Sequence, residues 1–534
     1  MTATLWSGLL VAFAGFYLAT LLSGRKKNHP PLPPGPPRKP IIGNLWDLPT
    51  PDQQDWQHWL KHKELYGPIS SLSVMGKTII ILNDARLAVD LMEKRSAINS
   101  SRPEQTFTEL TGWDEILGCV KDPERHRQTR KQMHREIGSN NSVARFNQIQ
   151  TAEAGRFLLR VLDAPDDLLH HIRKQAGAVI LSIGYGYTVE PHGQDPLVEL
   201  ADRAMTEFSI ALLPATWLVD FLPILRYVPA WFPGAGFVKT AQGYKKNVTD
   251  FTDIPYGFVK QQMRSGSFVP SLLSNLLQDN PVPSGSEDEN TVKWSVGSLY
   301  AGGADTTVST MSSFFLAMAL FPEVQRRAKQ EIDSVVGSDR LPQFQDRDNL
   351  PYINAVVKEA LRWHSVVPMG VAHSSTQDDT FEGYFIPKGS SILSNIWAYT
   401  HDPSIYPDPT AFKPERFLAS DGHPPERDPH LLVFGFGRRV CPGRTLADAN
   451  VYLTIAQVLA VFEISKPVED GKAVDLVPKF IPGVISHPAP YRVSVQPRSE
   501  AHRELIRSVE QEYPWEKSHA GELAKVALPQ TPVA

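Results

Sequence analysis

Ten residues, Phe434-Gly435-Phe436-Gly437-Arg438-Arg439-Val440-Cys441-Pro442-Gly443, constrain this chain more than any other stretch. A cysteine sits in a glycine-rich loop, an arginine lies two residues before it, and an apolar helical pattern follows through Leu446, Ala447, Val451 and Ile455. A thiol that ligates a metal must be a thiolate, so its site needs backbone N–H donors and nearby positive charge. Gly435, Gly437 and Gly443 carry no Cβ and let the backbone approach a ligand closely. Pro442 suits the first turn of the following helix, whose positive end would favour an ionised Cys441. The other reading of a lone cysteine is an inert buried thiol. The spacing Phe-x-x-Gly-x-Arg-x-Cys-x-Gly argues for ligation.

Lys and Arg total 54 against 58 for Asp and Glu, so no basic bias points to nucleic acid. Cys119 and Cys441 are the two cysteines, which excludes a disulfide framework and a Cys-rich zinc site and fits a reducing compartment. Residues 5–22 are almost wholly apolar and Arg25-Lys26-Lys27 follows at once. Eighteen residues at about 1.5 Å each roughly span a bilayer's hydrocarbon core. A cleavable signal would carry its positive charge before the apolar run. The charge order therefore predicts a membrane anchor over 1–24 with the body in the cytosol. Residues 30–40 hold seven prolines, a stiff and extended stretch; a basic, proline-rich hinge is expected over 25–44. A catalytic body over 45–500 and a tail over 501–534 complete the division.

Within the body, Ile69–Val74 and Thr78–Leu82 read as a hairpin, and residues 380–397 as a second strand-rich stretch. Helical periodicity dominates 290–363, and Ile353, Val356, Val357, Ala360 and Leu361 form one apolar helix face. On that helix Glu359 and Arg362 are three apart and can meet. Pro414-Glu415-Arg416-Phe417 follows, and then the Cys441 loop. Gly302-Gly303-Ala304-Asp305-Thr306-Thr307 lies inside a long apolar stretch. Paired glycines weaken a helix there and threonine hydroxyls can bond back to its carbonyls. His126 and Arg130 are four apart on another helix, and Arg127, Lys131 and Arg135 form a stripe on its other face. Gly184-Tyr185-Gly186 lacks the third glycine of a dinucleotide loop, so electrons for any redox chemistry must come from another protein.

The Cys loop, the Glu-x-x-Arg and Pro-Glu-Arg-Phe succession and the Gly-Gly-Ala-Asp-Thr-Thr segment together resemble the cytochrome P-450 superfamily. The text of the Cys loop and of residues 231–237 is similar to microsomal filamentous-fungal members. The resemblance implies a mainly α fold with small β-sheets behind one N-terminal transmembrane helix. It makes Cys441 the axial thiolate of haem b, with Phe434 beside the Cys-ligand face and Arg439 on a propionate. Arg130, His126 and His373 occupy further propionate positions, although the family usually has Trp where this chain has His126. Glu359, Arg362 and Arg416 become a buried network locking the Cys loop. Asp305 and Thr306 become the acid–alcohol pair that delivers protons for oxygen activation.

By the family's layout, substrate contacts fall at Phe107 and Trp113, at Leu299 and Ala301, and at Val366, Val367 and Met369. Val484 and Ile485 complete that wall. The implied enzyme is a membrane-bound monooxygenase of the endoplasmic reticulum acting on an apolar specialised metabolite such as a terpenoid, polyketide or aromatic. NADPH-cytochrome P-450 reductase, with cytochrome b5 as a second donor, would supply electrons. A haem-thiolate isomerase or dehydratase needing no reductase is the alternative enzyme class, and a gas-sensing haem module the non-enzymatic one.

Overall fold

The computed structural model describes residues 29–526 apart from 215, 280–281, 421 and 423. The expected anchor over 1–24 lies outside the described residues. Among the described residues no single helix is long and apolar enough to cross a membrane. The architecture is mainly helical with small sheets.

The largest sheet is built from β1 (Ile69–Val74), β2 (Lys77–Leu82), β3 (His373–Ser374) and β6 (Ser391–Ser394), in the order β1-β2-β6-β3. Between β3 and β6, β4 (Asp379–Phe381) and β5 (Tyr384–Ile386) pair with each other. β1 and β2 form an antiparallel hairpin with Ile69 opposite Leu82. β2 then runs parallel to β6, with Ile80 beside Ile392, and β3 sets His373 opposite Ile392. The proline run lies against this sheet: the Pro33 carbonyl accepts from Ser71 Oγ at 2.6 Å and Pro34 from Ser71 N–H at 2.8 Å. Proline offers carbonyls but no N–H, so such a segment can only accept along a sheet edge. Gly35 is required at that crossing, because a Cβ there would sit 1.9 Å from the Ser71 carbonyl oxygen.

The helices that position the site are, in chain order, α1 (Pro123–Ile137), α2 (Asn147–Asp163), α3 (Leu168–Tyr185), α4 (Glu287–Leu320), α5 (Pro351–Trp363), α6 (Arg444–Val461) and α7 (Glu500–Glu512). α4 starts at Ser286, whose hydroxyl accepts from Glu289 N–H at 3.1 Å, with three acids in the first turn. Both features stabilise a helix N-terminus. α4 joins two cores: Val292 to Ala301 pack into one, and Val308 to Ala319 into the other. The Gly302–Thr307 segment falls at the junction, where α4 passes against α3. Gly303 permits that crossing, since a Cβ would lie 2.6 Å from Ile180.

After Pro497 the charged composition conceals an apolar stripe. Ile506 and Val509 on α7 are buried against α2, and Trp515 lies over the Arg160 guanidinium at 5.2 Å. In the segment before residue 237, Trp231 and Phe232 are 79% and 52% exposed. Adjacent apolar rings standing in water mark a contact surface.

Candidate active site

The loop before α6 is held by its own backbone. Cys441 N–H donates to the Phe434 carbonyl at 2.8 Å, and Gly437 takes φ +55°. A Cβ on Gly437 would also lie 2.5 Å from the Met92 carbonyl oxygen, so both conformation and space demand glycine there. Gly443 caps α6, and the N–H groups of Gly443 and Arg444 point at the Cys441 sulfur. Burial nevertheless dominates and pushes the Cys441 thiol up, against those N–H groups and the Arg130 and Arg444 charges. The helix end alone therefore does not ionise this cysteine. A bound metal would, because a coordinating thiol is deprotonated outright.

Cys441 opens onto a cavity of about 340 Å³, the size of a small-molecule site. Phe434, Gly435 and Arg439 line it from the Cys loop, and Gly302, Gly303 and Thr306 from α4. Thr306 Oγ1 donates to the Gly302 carbonyl at 2.5 Å, one turn back, while α4 stays continuous. That bond spends the hydroxyl's proton on the helix and leaves its lone pairs to accept from a donor in the cavity.

The same cavity gathers basic side chains. Arg102, Arg130, Arg439, His126 and His373 all line it. Arg439 donates to the carbonyls of Ser100, Leu117 and Val120, at 2.8, 3.3 and 2.9 Å. Arg130 donates to Val440 at 2.7 Å, and Arg102 to Val371 and Ala372 at 2.8 and 2.7 Å. Among the described residues none of these three guanidinium groups meets a carboxylate. Burial, with the charge of Arg439, pulls Arg102 down to about 9; burial, with Arg130, pulls Arg439 down to about 10. Burial and the three arginines push His126 down to about 3. Its Nε2 is buried without a partner. Uncompensated buried charge is costly, so this wall is built for an anion.

A family model described as cytochrome P-450 matches residues 33–495. A cytochrome P-450 monooxygenase of Aspergillus oryzae, ppsD, is 50% identical over 97% of this chain and 99% of its own length. The O-methylsterigmatocystin oxidoreductase of Aspergillus flavus is 46% identical over 96% and 97%. A multifunctional cytochrome P-450 monooxygenase of Aspergillus fumigatus is 44% identical over 96% of each chain. The chain belongs to the cytochrome P-450 family. Like members of that family, it is an oxygen-incorporating oxidoreductase.

A cytochrome P-450 requires haem iron, and the residues present fit it. A single thiol opens onto an apolar cavity, and three guanidinium groups lining the same cavity, without a carboxylate partner among the described residues, match the two carboxylates a haem carries. The orphaned His126 Nε2 is placed for one of them. His373 contributes differently, because Nδ1 is committed to the Asn99 carbonyl at 2.8 Å. Only its Nε2 remains for the cavity.

Leu299, Ala301, Val366, Val367, Val484 and Ile485 line this cavity, whereas Phe107, Trp113 and Met369 do not. Phe107 stacks on Trp217 at 3.6 Å, and Trp113 is fully buried beside Phe208, Phe251 and Trp294. Met369 lines a smaller neighbouring cleft with Asp55, Asp114 and Val484. Wall residues not singled out from sequence include Arg102, Met205, Phe208 and Ser298. Away from the cavity, Glu359, Arg362 and Arg416 meet in the interior, with side chains 0%, 0% and 3% exposed.

Proposed function

We propose that this cytochrome P-450 is a membrane-anchored, haem b-dependent monooxygenase that hydroxylates or otherwise oxidises an apolar specialised metabolite. The observation that carries the proposal is the cavity itself, whose largely apolar lining includes Cys441, Thr306 and guanidinium groups that meet no carboxylate among the described residues. Haem ligated by thiolate supplies the activation of O2 for insertion into a C–H bond. Cys441 would be the iron ligand. Arg102, Arg130, Arg439 and His126 would hold the carboxylates, and His373 would join them from Nε2 as the imidazolium that a bound carboxylate would stabilise. Phe434 would pack beside the Cys441 face. Leu299, Ala301, Val366, Val367, Val484 and Ile485 would orient the substrate and exclude water, a wall suited to a terpenoid, polyketide or aromatic. Thr306 Oγ1 would hold a water in the cavity, and the Asp305 carboxylate would feed it protons.

The apolar run at 5–22, the basic cluster after it and the exposed Trp231 and Phe232 support seating on the endoplasmic reticulum membrane with the body in the cytosol. Arg127, Lys131, Arg135 and Arg438 are exposed and support docking of an acidic NADPH-dependent flavoprotein reductase, with cytochrome b5 as a second donor. Two of them have local partners: Arg127 pairs with Glu124 at 2.8 Å and Arg135 with Asp279 at 2.6 Å. Exposed pairs like these are worth little and exchange readily.

NADPH alone is expected to give no product, and added reductase to restore turnover with one atom of labelled O2 in the product. Reduction should slow as salt rises, because surface charges are screened over about 10 Å at roughly 0.1 M. Product formed without reductase, from a peroxide substrate, would replace this reading with the isomerase class.

Thr306→Ala removes the hydroxyl that would hold the water but leaves the apolar wall. Substrate binding should persist while most of the NADPH consumed appears as hydrogen peroxide. Proton delivery of this type contributes about 10²–10⁴-fold, so a coupled rate within twofold of wild type rejects the relay.

A further inference from the structure

Asp305 does not line the cavity that Thr306 lines. Its carboxylate instead meets His487 Nε2, at 3.1 Å to Oδ1 and 3.2 Å to Oδ2. The His487 side chain is 25% exposed and that of Asp305 11%. Thus the inner partner touches the helix that carries Thr306 and the outer partner touches water.

The placement is built rather than incidental. Ser309, one turn beyond Asp305 on α4, donates from Oγ to the Ser486 carbonyl at 2.6 Å. Ser486 N–H donates to the Val366 carbonyl at 2.8 Å, and Ile481 N–H to the His487 carbonyl at 2.8 Å. Two successive loop residues are thereby fixed against two α4 residues one turn apart. Two positions earlier, Ile485 lines the cavity, so a single loop has one side chain in the site and another at its outer edge. Besides Asp305 on α4, His364, which follows α5, faces this loop and meets Ser486 Oγ at 3.0 Å. Burial pushes His364 down to about 3, so it stays neutral and does not compete. A partly exposed ion pair contributes only about 0–1 kcal/mol. So precise a mounting is poorly explained by stability.

We propose that His487 exchanges protons between solvent and Asp305, which supplies the Thr306 side of the cavity. The inference rests on the relay reading of Asp305 and Thr306. In each passage the His487 Nε2–H bond breaks and an Asp305 Oδ–H bond forms, while the imidazole regains a proton from water. Protonation removes the charge that holds Asp305 to His487, which frees the carboxyl group to turn along α4. It then releases the proton to the water held by Thr306, and the restored carboxylate returns to His487. No electrons change hands.

The test uses the full-length, haem-loaded protein with its reductase and 7-ethoxycoumarin as an apolar aromatic probe. His487→Gln keeps an N–H donor for Asp305 but cannot carry a proton. It should retain the probe-binding spectrum and lose about tenfold in coupled product, below the ~10²-fold of a full general acid because water still reaches Asp305. The solvent deuterium isotope effect should rise, which a merely structural residue would not cause. Independently of turnover, diethyl pyrocarbonate should modify His487 several-fold faster in Asp305→Ala than in wild type, because Nε2 is uncovered. Wild-type product yield and isotope effect in His487→Gln, or equal labelling in both proteins, overturns the proposal. If Asp305→Ala also keeps wild-type product yield, the relay reading falls with it. If Asp305→Ala is impaired and His487→Gln is not, only the His487 assignment falls.

Discussion

Cys441→Ala is expected to abolish the red-shifted Soret band that reduced protein shows with carbon monoxide, and with it all turnover. The band would report thiolate ligation of the iron, and Cys119, the other cysteine, cannot substitute. It is 7% exposed, and burial pushes its thiol up to about 12. The substitution removes one sulfur but leaves the Gly437 turn and the Glu359 network intact, so the far-ultraviolet circular dichroism should be unchanged. Persistence of the band in the variant would end the ligation argument. A second consequence follows from the desolvated surroundings of the half-buried Cys441 thiol. Burial raises its pKa in the metal-free protein, so haem loading must release a proton from Cys441. Loading is then disfavoured at low pH and strengthens as pH rises toward the thiol's own pKa. Hemin titrations of metal-free protein at several pH values should show tighter binding at higher pH.

Local chemistry was the legible part of the site. The Cys441 loop announces itself because glycine, arginine and thiol must be contiguous to do their work, and the β1–β2 hairpin because two apolar runs flank Met75-Gly76. The Gly302–Thr307 segment was visible as a flaw in an otherwise apolar helix. What stayed hidden depends on partners far along the chain. Asp305 and His487 are 182 residues apart, and no periodicity connects them. Arg102 joins the cation wall only because β3 and the Cys loop close around it. Phe107 and Trp113 are apolar and aromatic whether they face a substrate or a core; Trp217 and Phe251 decide, and sequence cannot rank those contacts. The α7 helix was obscured by its solvent face, since Ile506 and Val509 are two apolar positions amid charge.

Glu359→Gln is expected to destabilise the protein by about 3–5 kcal/mol, the cost of stranding one side of a buried ion pair. Glu359 accepts from Arg362 Nε and Nη2 at 2.6 and 2.7 Å, from Arg416 Nε at 3.2 Å and from Lys413 N–H at 2.7 Å. Arg362 in turn donates to the carbonyls of Thr400, Pro409 and Ala411. One carboxylate therefore pairs with two guanidinium groups and, through Arg362, ties α5 to the coil that leads toward the Cys441 loop. Glutamine preserves the shape but leaves both positive charges in the interior with Glu426, 2.8 Å from Arg416 Nη1, as the remaining counter-charge. Folded proteins hold only about 5–15 kcal/mol in all, so the yield of carbon monoxide-competent protein should fall more than tenfold. Arg362→Lys should fall in between, because a point charge cannot make the forked contact. The network touches neither Thr306 nor the cavity wall, so the fraction that does fold should turn over normally per haem. Full stability with a lowered rate per haem would move Glu359 from the scaffold into the chemistry.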